Sequence, residues 1–156
     1  MPDRNLGNYV SRFLPKKRFI YHTGYCPVHD VISVEDIRNV RSLHPGAPAL
    51  VHPECSPEVV NLADFTDSTA EIINYAVKSD NKEFIIITEI GVLHRLKELC
   101  PEKCFFPVRS DMTCRNMKKT TLSRIMEALE KMQYQIDLNQ QLIEKANASL
   151  DRMLRL

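Results

Sequence analysis

Residues able to bind metals or move protons are concentrated in a few short segments of the 156-residue sequence. The segment GYCPVH places Cys26 and His29 three residues apart, directly after a glycine and a tyrosine. A thiolate at Cys26 would suit a soft metal or an iron–sulfur cluster, and His29 could then bind substrate. A buried free cysteine beside a histidine in a turn would explain the same pair without any function, so the segment alone leaves both interpretations open.

The segment HPEC is denser, because it holds His52, Glu54 and Cys55 within four residues. An imidazole, a carboxylate and a thiol at this spacing predict either a metal site or an acid–base pair. Pro53 restricts the backbone and favours a fixed placement of its neighbours. The alternative is a polar loop that only caps the helix following it.

A hydroxyl pair, Ser68 and Thr69, stands where a helix is predicted to begin. Their hydroxyls and the free amides of the first helical turn would form an anion site. Helix capping by Ser68 or by the preceding Asp67 is the alternative, and capping and binding can coexist.

Cys114 lies in a polar segment with Arg115, Lys118 and Lys119 close behind it. Cations beside a cysteine lower the pKa of its thiol and attract anions. A solvated run of charge is the competing interpretation.

The remaining cysteines carry less information. Five cysteines without a secretion signal argue against a disulfide framework, and the absence of a Cys-x-x-Cys pair excludes a zinc ribbon. Cys100 and Cys104 are interpreted as structural thiols. Any metal site must therefore draw its cysteines from distant loops, and a local site built from Cys26, Cys55 and Cys114 is one alternative.

Short apolar runs alternate with helical patterns and predict an α/β domain with a parallel sheet of four or five strands over residues 18–107. Ligands of such sheets bind beyond the carboxyl ends of the strands, which is where the candidate residues fall. The predicted strands are residues 18–22, 49–51, 64–66, 83–88 and 103–106, and the predicted helices are residues 34–44, 68–77 and 90–99 together with one that starts at residue 56.

The two ends of the chain lack the alternation of strands and helices that is predicted for residues 18–107. Residues 1–17 contain one short helix without a strand of its own, and we expect them to end a preceding domain. Residues 108–156 contain the Cys114 loop and two helices with apolar stripes, which need another surface to pack on.

Composition narrows the class of protein. The 21 basic and 20 acidic residues nearly balance, which argues against a general electrostatic nucleic-acid binder. No apolar run approaches the roughly 18–20 residues that a membrane span needs, and the first residues contain no apolar signal core. We therefore expect a cytoplasmic protein without nucleic-acid or membrane partners.

Taken in order, six segments resemble the quinolinate synthase family along essentially the whole chain, but only over the C-terminal half of that family. The segments are PDRNLGNYV, GYCPVHD, VHPECSPEVVNLAD, STAEII, TEIGVLHRL and CRNMKKTTL. The resemblance implies one α/β/α domain of a three-domain protein with pseudo-threefold symmetry, whose C-terminal helices pack on the absent first domain. It also implies a central 4Fe-4S cluster with one open iron, held here by Cys26, Cys114 and a third cysteine from the N-terminal half.

The resemblance further implies roles for individual residues. His29, His52 and Glu54 would line the active site as acid–base groups, with His52 and Glu54 also contacting substrate, and Ser68 and Thr69 would bind its carboxylate or phosphate. The implied substrates are iminoaspartate and dihydroxyacetone phosphate, which condense to quinolinate in NAD biosynthesis. Cys55 belongs to the motif without being a cluster ligand.

Two departures from the family pattern shape the expectations for this chain. The hydroxyl pair normally follows a glycine, whereas Asp67 stands there in this sequence. The chain also lacks a counterpart of the N-terminal half, so we expect it to be inactive alone and to need that half as a partner. A truncated, non-catalytic remnant and a small metal-binding α/β module are the alternatives.

Overall fold

The computed structural model describes residues 3–155 and divides into two compact units, Met1–Cys114 and Arg115–Leu156. The first unit is an α/β domain with a four-stranded parallel sheet, as predicted. Its elements in chain order are α1 (Arg4–Ser11), α2 (Pro27–Asp30), α3 (Val34–Leu43), β1 (Ala49–Val51), α4 (Pro57–Val60), β2 (Phe65–Thr66), α5 (Thr69–Lys78), β3 (Glu83–Ile87), α6 (Val92–Leu99) and β4 (Cys104–Pro107).

The order of the strands creates a natural place for a ligand. The sheet runs β2-β1-β3-β4, so the chain leaves β1 for β2 on one side and leaves β3 for β4 on the other. The loops beyond the carboxyl ends of β1 and β3 therefore diverge and open a crevice between them. Open parallel sheets bind ligands at such a reversal.

The two central strands are buried on both faces, which fixes the three-layer arrangement. Along β3 the side chains alternate, so that Ile85 and Ile87 pack with α3 and α4 while Phe84 and Ile86 pack with α5 and α6. Fully burying one such side chain stabilises a fold by about 1.5–3 kcal/mol. The continuous apolar run of β3 thus anchors the sheet and holds its carboxyl end still.

Serine side chains open three helices of the first unit. Ser33 accepts a hydrogen bond from the Asp36 amide, and the Asp36 carboxylate accepts one from the Ser33 amide, which completes a capping box. Ser56 with Pro57 opens α4, and Ser68 caps α5. These caps set where each helix leaves the sheet edge.

The predicted strand over residues 18–22 is wrong. Ile20 is 75% exposed, and the rings of Phe19 and Tyr21 stack on each other at 6.0 Å. An apolar run forms a strand only where a sheet can bury it. The four strands found within residues 3–155 are formed by other segments, so residues 18–22 have no neighbouring strand to pair with. The other strands shift from their predicted bounds by one residue at most.

The second unit contains a 3₁₀ turn (Met117–Lys119), α7 (Leu122–Glu130) and α8 (Gln140–Leu154). Thr121 caps α7 by accepting a hydrogen bond from the Arg124 amide. Neither α7 nor α8 contains a buried residue, and Leu122 and Leu154 are 86% and 87% exposed. Among the described residues, no helix combines the length and the apolar character that crossing a lipid bilayer requires.

Candidate active site

His29 joins the ends of the two central strands. Cys26 caps α2, Pro27 occupies its first turn, and His29 is 6% exposed on the side of α2 that meets the sheet. Its Nδ1 lies 3.2 Å from Glu54 Oε2, just beyond β1, and its Nε2 lies 3.1 Å from Thr88 Oγ1, just beyond β3. Both ring nitrogens therefore have a hydrogen-bond partner in the crevice between the ends of β1 and β3.

His52 is the first residue after β1 and is held in a fixed orientation. Its backbone amide donates to the carbonyl of Ile87 at 3.0 Å, and its ring stacks on that of His29 at 4.3 Å with 9° between the planes. The Glu54 amide donates to His52 Nδ1 at 3.3 Å. Because Nδ1 accepts this bond, a neutral His52 carries its proton on Nε2.

Electrostatics keeps His52 neutral. Burial, followed by the charge of His29, lowers the pKa of His52 to about 4. The nearby Glu54 carboxylate, 3.8 Å from His52 Nδ1, opposes this shift without overcoming it. A neutral imidazole whose proton sits on Nε2 can donate a hydrogen bond to a substrate oxygen.

Glu54 and Cys26 complete the cluster. The hydrogen bond from His29 lowers the pKa of Glu54 despite partial burial, so this carboxylate is ionised near neutral pH. Burial raises the pKa of the Cys26 thiol, and the Glu54 charge adds to that rise. A carboxylate, two imidazoles and a thiol in contact can bind a cation and relay protons.

Side chains of the N-terminal helix hold these loops, a role that sequence reasoning missed. Asp3 Oδ2 accepts from the Cys26 amide at 2.8 Å, and Asn5 Nδ2 donates to the Glu54 carbonyl at 3.0 Å. Arg4 donates to both oxygens of Asp30 at 3.0 Å. Nothing in a single sequence reveals which distant loop a side chain reaches, so the residues of PDRN carry no signal of these contacts.

Cys114 lies at the same edge of the sheet as Cys26. Its amide donates to Glu89 Oε1 at 3.2 Å, and the amide of Gly91 donates to Glu89 Oε2 at 2.7 Å. Two residues just beyond β3 therefore contact different parts of the site. Glu89 is hydrogen-bonded to the Cys114 loop, and Thr88 is hydrogen-bonded to His29. Cys26 and Cys114 are both half-buried and free.

The other cysteines are placed differently. Cys55 is 1% exposed, and burial strongly raises the pKa of its thiol, which argues against the local site of Cys26, Cys55 and Cys114. Cys100 is buried, in keeping with a structural role, whereas Cys104 is exposed at the opposite end of the sheet.

Ser68 and Thr69 stand at the start of α5, beside the end of β1. Ser68 Oγ accepts from the Glu71 amide at 3.3 Å, so this hydroxyl caps the helix. Asp67 Oδ1 accepts from the Ser68 amide at 2.6 Å, and the Asp67 amide donates to the Val51 carbonyl at 3.3 Å. The structure brings Cys26, His29, His52 and Glu54 together, and it leaves the hydroxyl pair on a neighbouring loop of the same edge.

We expect stability to fall as the pH drops from about 6.5 towards 4. In this window the unfolded chain binds a proton at His52 that the folded chain, with a pKa of about 4, does not bind. Between pH 7 and pH 5 the loss from His52 should be about 1–2 kcal/mol. Urea unfolding at several pH values measures it, and His52→Asn should flatten the dependence. An unchanged dependence in that variant would show that His52 is not the group responsible.

The chain is similar to known proteins along its whole length. Residues 1–155 match the family model described as "Quinolinate synthetase A protein". The chain is 47% identical over all 156 residues to proteins named quinolinate synthase from Caldicellulosiruptor bescii and Clostridium perfringens, and 44% identical to one from Thermodesulfovibrio yellowstonii. Each match covers 52% of the relative, so the chain spans about half the length of the curated relatives it matches.

Proposed function

The chain belongs to the quinolinate synthetase A family, and from that premise we propose that it supplies about half of a quinolinate synthase. The complete enzyme would condense iminoaspartate with dihydroxyacetone phosphate to quinolinate, a step in NAD biosynthesis. The names of the relatives support the product, and the resemblance described above supports the two substrates. A partner segment that matches the other half of the relatives' length would complete the enzyme.

The observation that carries this proposal is the contact of His29, His52 and Glu54 at the reversal point of the sheet. The condensation needs a proton removed from carbon and protons delivered to departing oxygens. The ionised Glu54, paired with His29, is suited to accept a proton, and neutral His52 is suited to donate from Nε2. Thr88 keeps the His29 ring in place through its bond to Nε2.

The residues present fit a 4Fe-4S cluster. Cys26 and Cys114 are free thiols on loops at one edge of the sheet, and carboxylates of Asp3 and Glu89 accept hydrogen bonds from their backbone amides. These two residues would hold the cluster together with a third cysteine from the partner segment. When bound, such a cluster supplies an open iron that acts as a Lewis acid on substrate oxygens.

A fusion protein tests the proposal. The chain is joined to the preceding half of the Caldicellulosiruptor bescii relative, reconstituted anaerobically with iron and sulfide, and assayed for quinolinate. We expect about four irons per fusion protein and measurable product, whereas the 156-residue chain alone should keep far less iron because it offers two of the three thiolates. A folded fusion protein that binds the cluster but forms no quinolinate would favour the non-catalytic alternative.

Asp67 should weaken anion binding at the start of α5. Its carboxylate lies on the Ser68 amide, where a phosphate or carboxylate of substrate would otherwise bind. In the fusion protein, Asp67→Asn should lower the KM for dihydroxyacetone phosphate by about fivefold, since a unit charge nearby costs about 1 kcal/mol in a solvated site. Asp80→Asn, an exposed site at the other end of α5, is the matched control and should leave KM unchanged. Equal effects of both variants would refute a local role for Asp67.

A further inference from the structure

We propose that Cys26, His29 and Glu54 form a mononuclear site for a divalent transition metal, with zinc as the best match, whenever no cluster occupies Cys26. Each residue brings one ligand atom to within 4.8 Å of the other two. A sulfur, an imidazole nitrogen and a carboxylate oxygen form a donor set typical of zinc. This inference concerns a metal ion different from the cluster of the proposed function.

The spacing of the three ligand atoms is close to what zinc needs. Zinc bonds of about 2.0–2.3 Å at tetrahedral angles place ligand atoms about 3.3–3.6 Å apart. His29 Nδ1 and Glu54 Oε2 already lie 3.2 Å apart. The Cys26 sulfur lies within 4.8 Å of the other two ligand atoms and would need to approach by at most about 1.5 Å, which side-chain rotation can supply.

The surroundings of the three ligands are already ordered for a metal. A histidine that binds a metal through one nitrogen usually donates from the other, and His29 Nε2 lies 3.1 Å from the hydroxyl of Thr88, which is 2% exposed. Asp3 accepts a hydrogen bond from the Cys26 amide, and Asn5 donates one to the Glu54 carbonyl. The backbones of the other two ligands, Cys26 and Glu54, are therefore fixed. Binding would replace the hydrogen bond between His29 Nδ1 and Glu54 with two bonds to the metal.

His52 lies beside the proposed site but is not one of its ligands. Its ring stacks on His29, yet its Nδ1 accepts from the Glu54 amide and therefore lacks a free lone pair for a metal. Three protein ligands would leave the fourth position to water. If the proposed cluster also uses Cys26, zinc and the cluster exclude each other, because one thiolate would have to serve both.

Cobalt titration of the 156-residue chain tests the site without any assay of activity. Under anaerobic conditions Co²⁺ should produce thiolate-to-cobalt charge-transfer absorption with the stoichiometry of one ion per chain, and Zn²⁺ should abolish it by displacement. Cys26→Ser should remove the absorption, and Glu54→Gln should weaken affinity at least tenfold. Thr88→Val should weaken it by about tenfold or more, because it frees the outer nitrogen of His29.

The matched controls are Cys104→Ser and His94→Asn, which change an exposed thiol and an exposed imidazole elsewhere in the first unit. Both should bind cobalt like the unchanged chain. Circular dichroism establishes folding, and if Cys26→Ser fails to fold, Glu54→Gln decides the matter. Charge-transfer absorption that persists in folded Cys26→Ser, that disappears in Cys104→Ser, or that never forms in the folded chain would overturn the proposal.

Discussion

Glu54→Gln is expected to lower kcat of the fusion protein by about 10²–10⁴-fold, the range typical of losing a general acid–base group. The substitution keeps the shape of the side chain but removes the carboxylate that lies 3.2 Å from His29 and 3.8 Å from His52. Without it, the cluster loses the ionised group that is proposed to accept the proton. Steady-state quinolinate formation, normalised to cluster content, measures the effect.

Glu58→Gln is the matched control for this prediction. Glu58 lies four residues further on, in α4, and is exposed to solvent. The control should retain kcat within about twofold, in keeping with the small effects of most surface substitutions. Full activity of Glu54→Gln with normal iron content would contradict the proposed acid–base role.

The 156-residue chain on its own is expected to self-associate through its last two helices, α7 and α8. On α7 the apolar stripe includes Leu122, Met126 and Leu129, which are 86%, 61% and 69% exposed. Burying each such side chain is worth about 1.5–3 kcal/mol, so the stripe alone favours association by several kcal/mol. Light scattering and dye binding should show oligomers with accessible apolar surface.

Leu129→Lys should shift this equilibrium towards monomer by at least tenfold, because it places a charge in the middle of the stripe. Ser123→Lys adds the same charge outside the stripe and should change the equilibrium little. A chain that is monomeric at high concentration, binds no dye and protects the amides of both α7 and α8 strongly from exchange would show that these stripes are covered.

The sequence predicted the parts of the fold that depend on local chemistry. Serine caps and the apolar run of β3 set the bounds of their elements to within a few residues, since capping and burial of a central strand act over short distances. The rule that ligands bind beyond the carboxyl ends of strands also placed His52 and Glu54, which follow β1, at one edge of the sheet. These features are visible because each depends on residue type and spacing alone.

The remainder depends on contacts between segments far apart in the sequence. Residues 18–22 have a strand-like composition, but composition cannot tell whether a sheet will bury them, and Ile20 remains 75% exposed. The hydrogen bond between Thr88 and His29 joins residues 59 positions apart, so the local sequence does not reveal it. The bonds of Asp3 to the Cys26 amide and of Asn5 to the Glu54 carbonyl are equally hidden, because any residue type offers the same backbone partner.

Two consecutive residues at the end of β3 hold both thiol-bearing loops, Thr88 through His29 and Glu89 through the Cys114 amide. The two loops therefore share one support, the carboxyl end of β3. A chelating pair on such a support loses little conformational entropy when it captures a common ligand, so its effective molarity is high. If the two sulfurs bind one cluster as proposed, loosening this strand end would weaken binding at both loops at once without changing either sulfur.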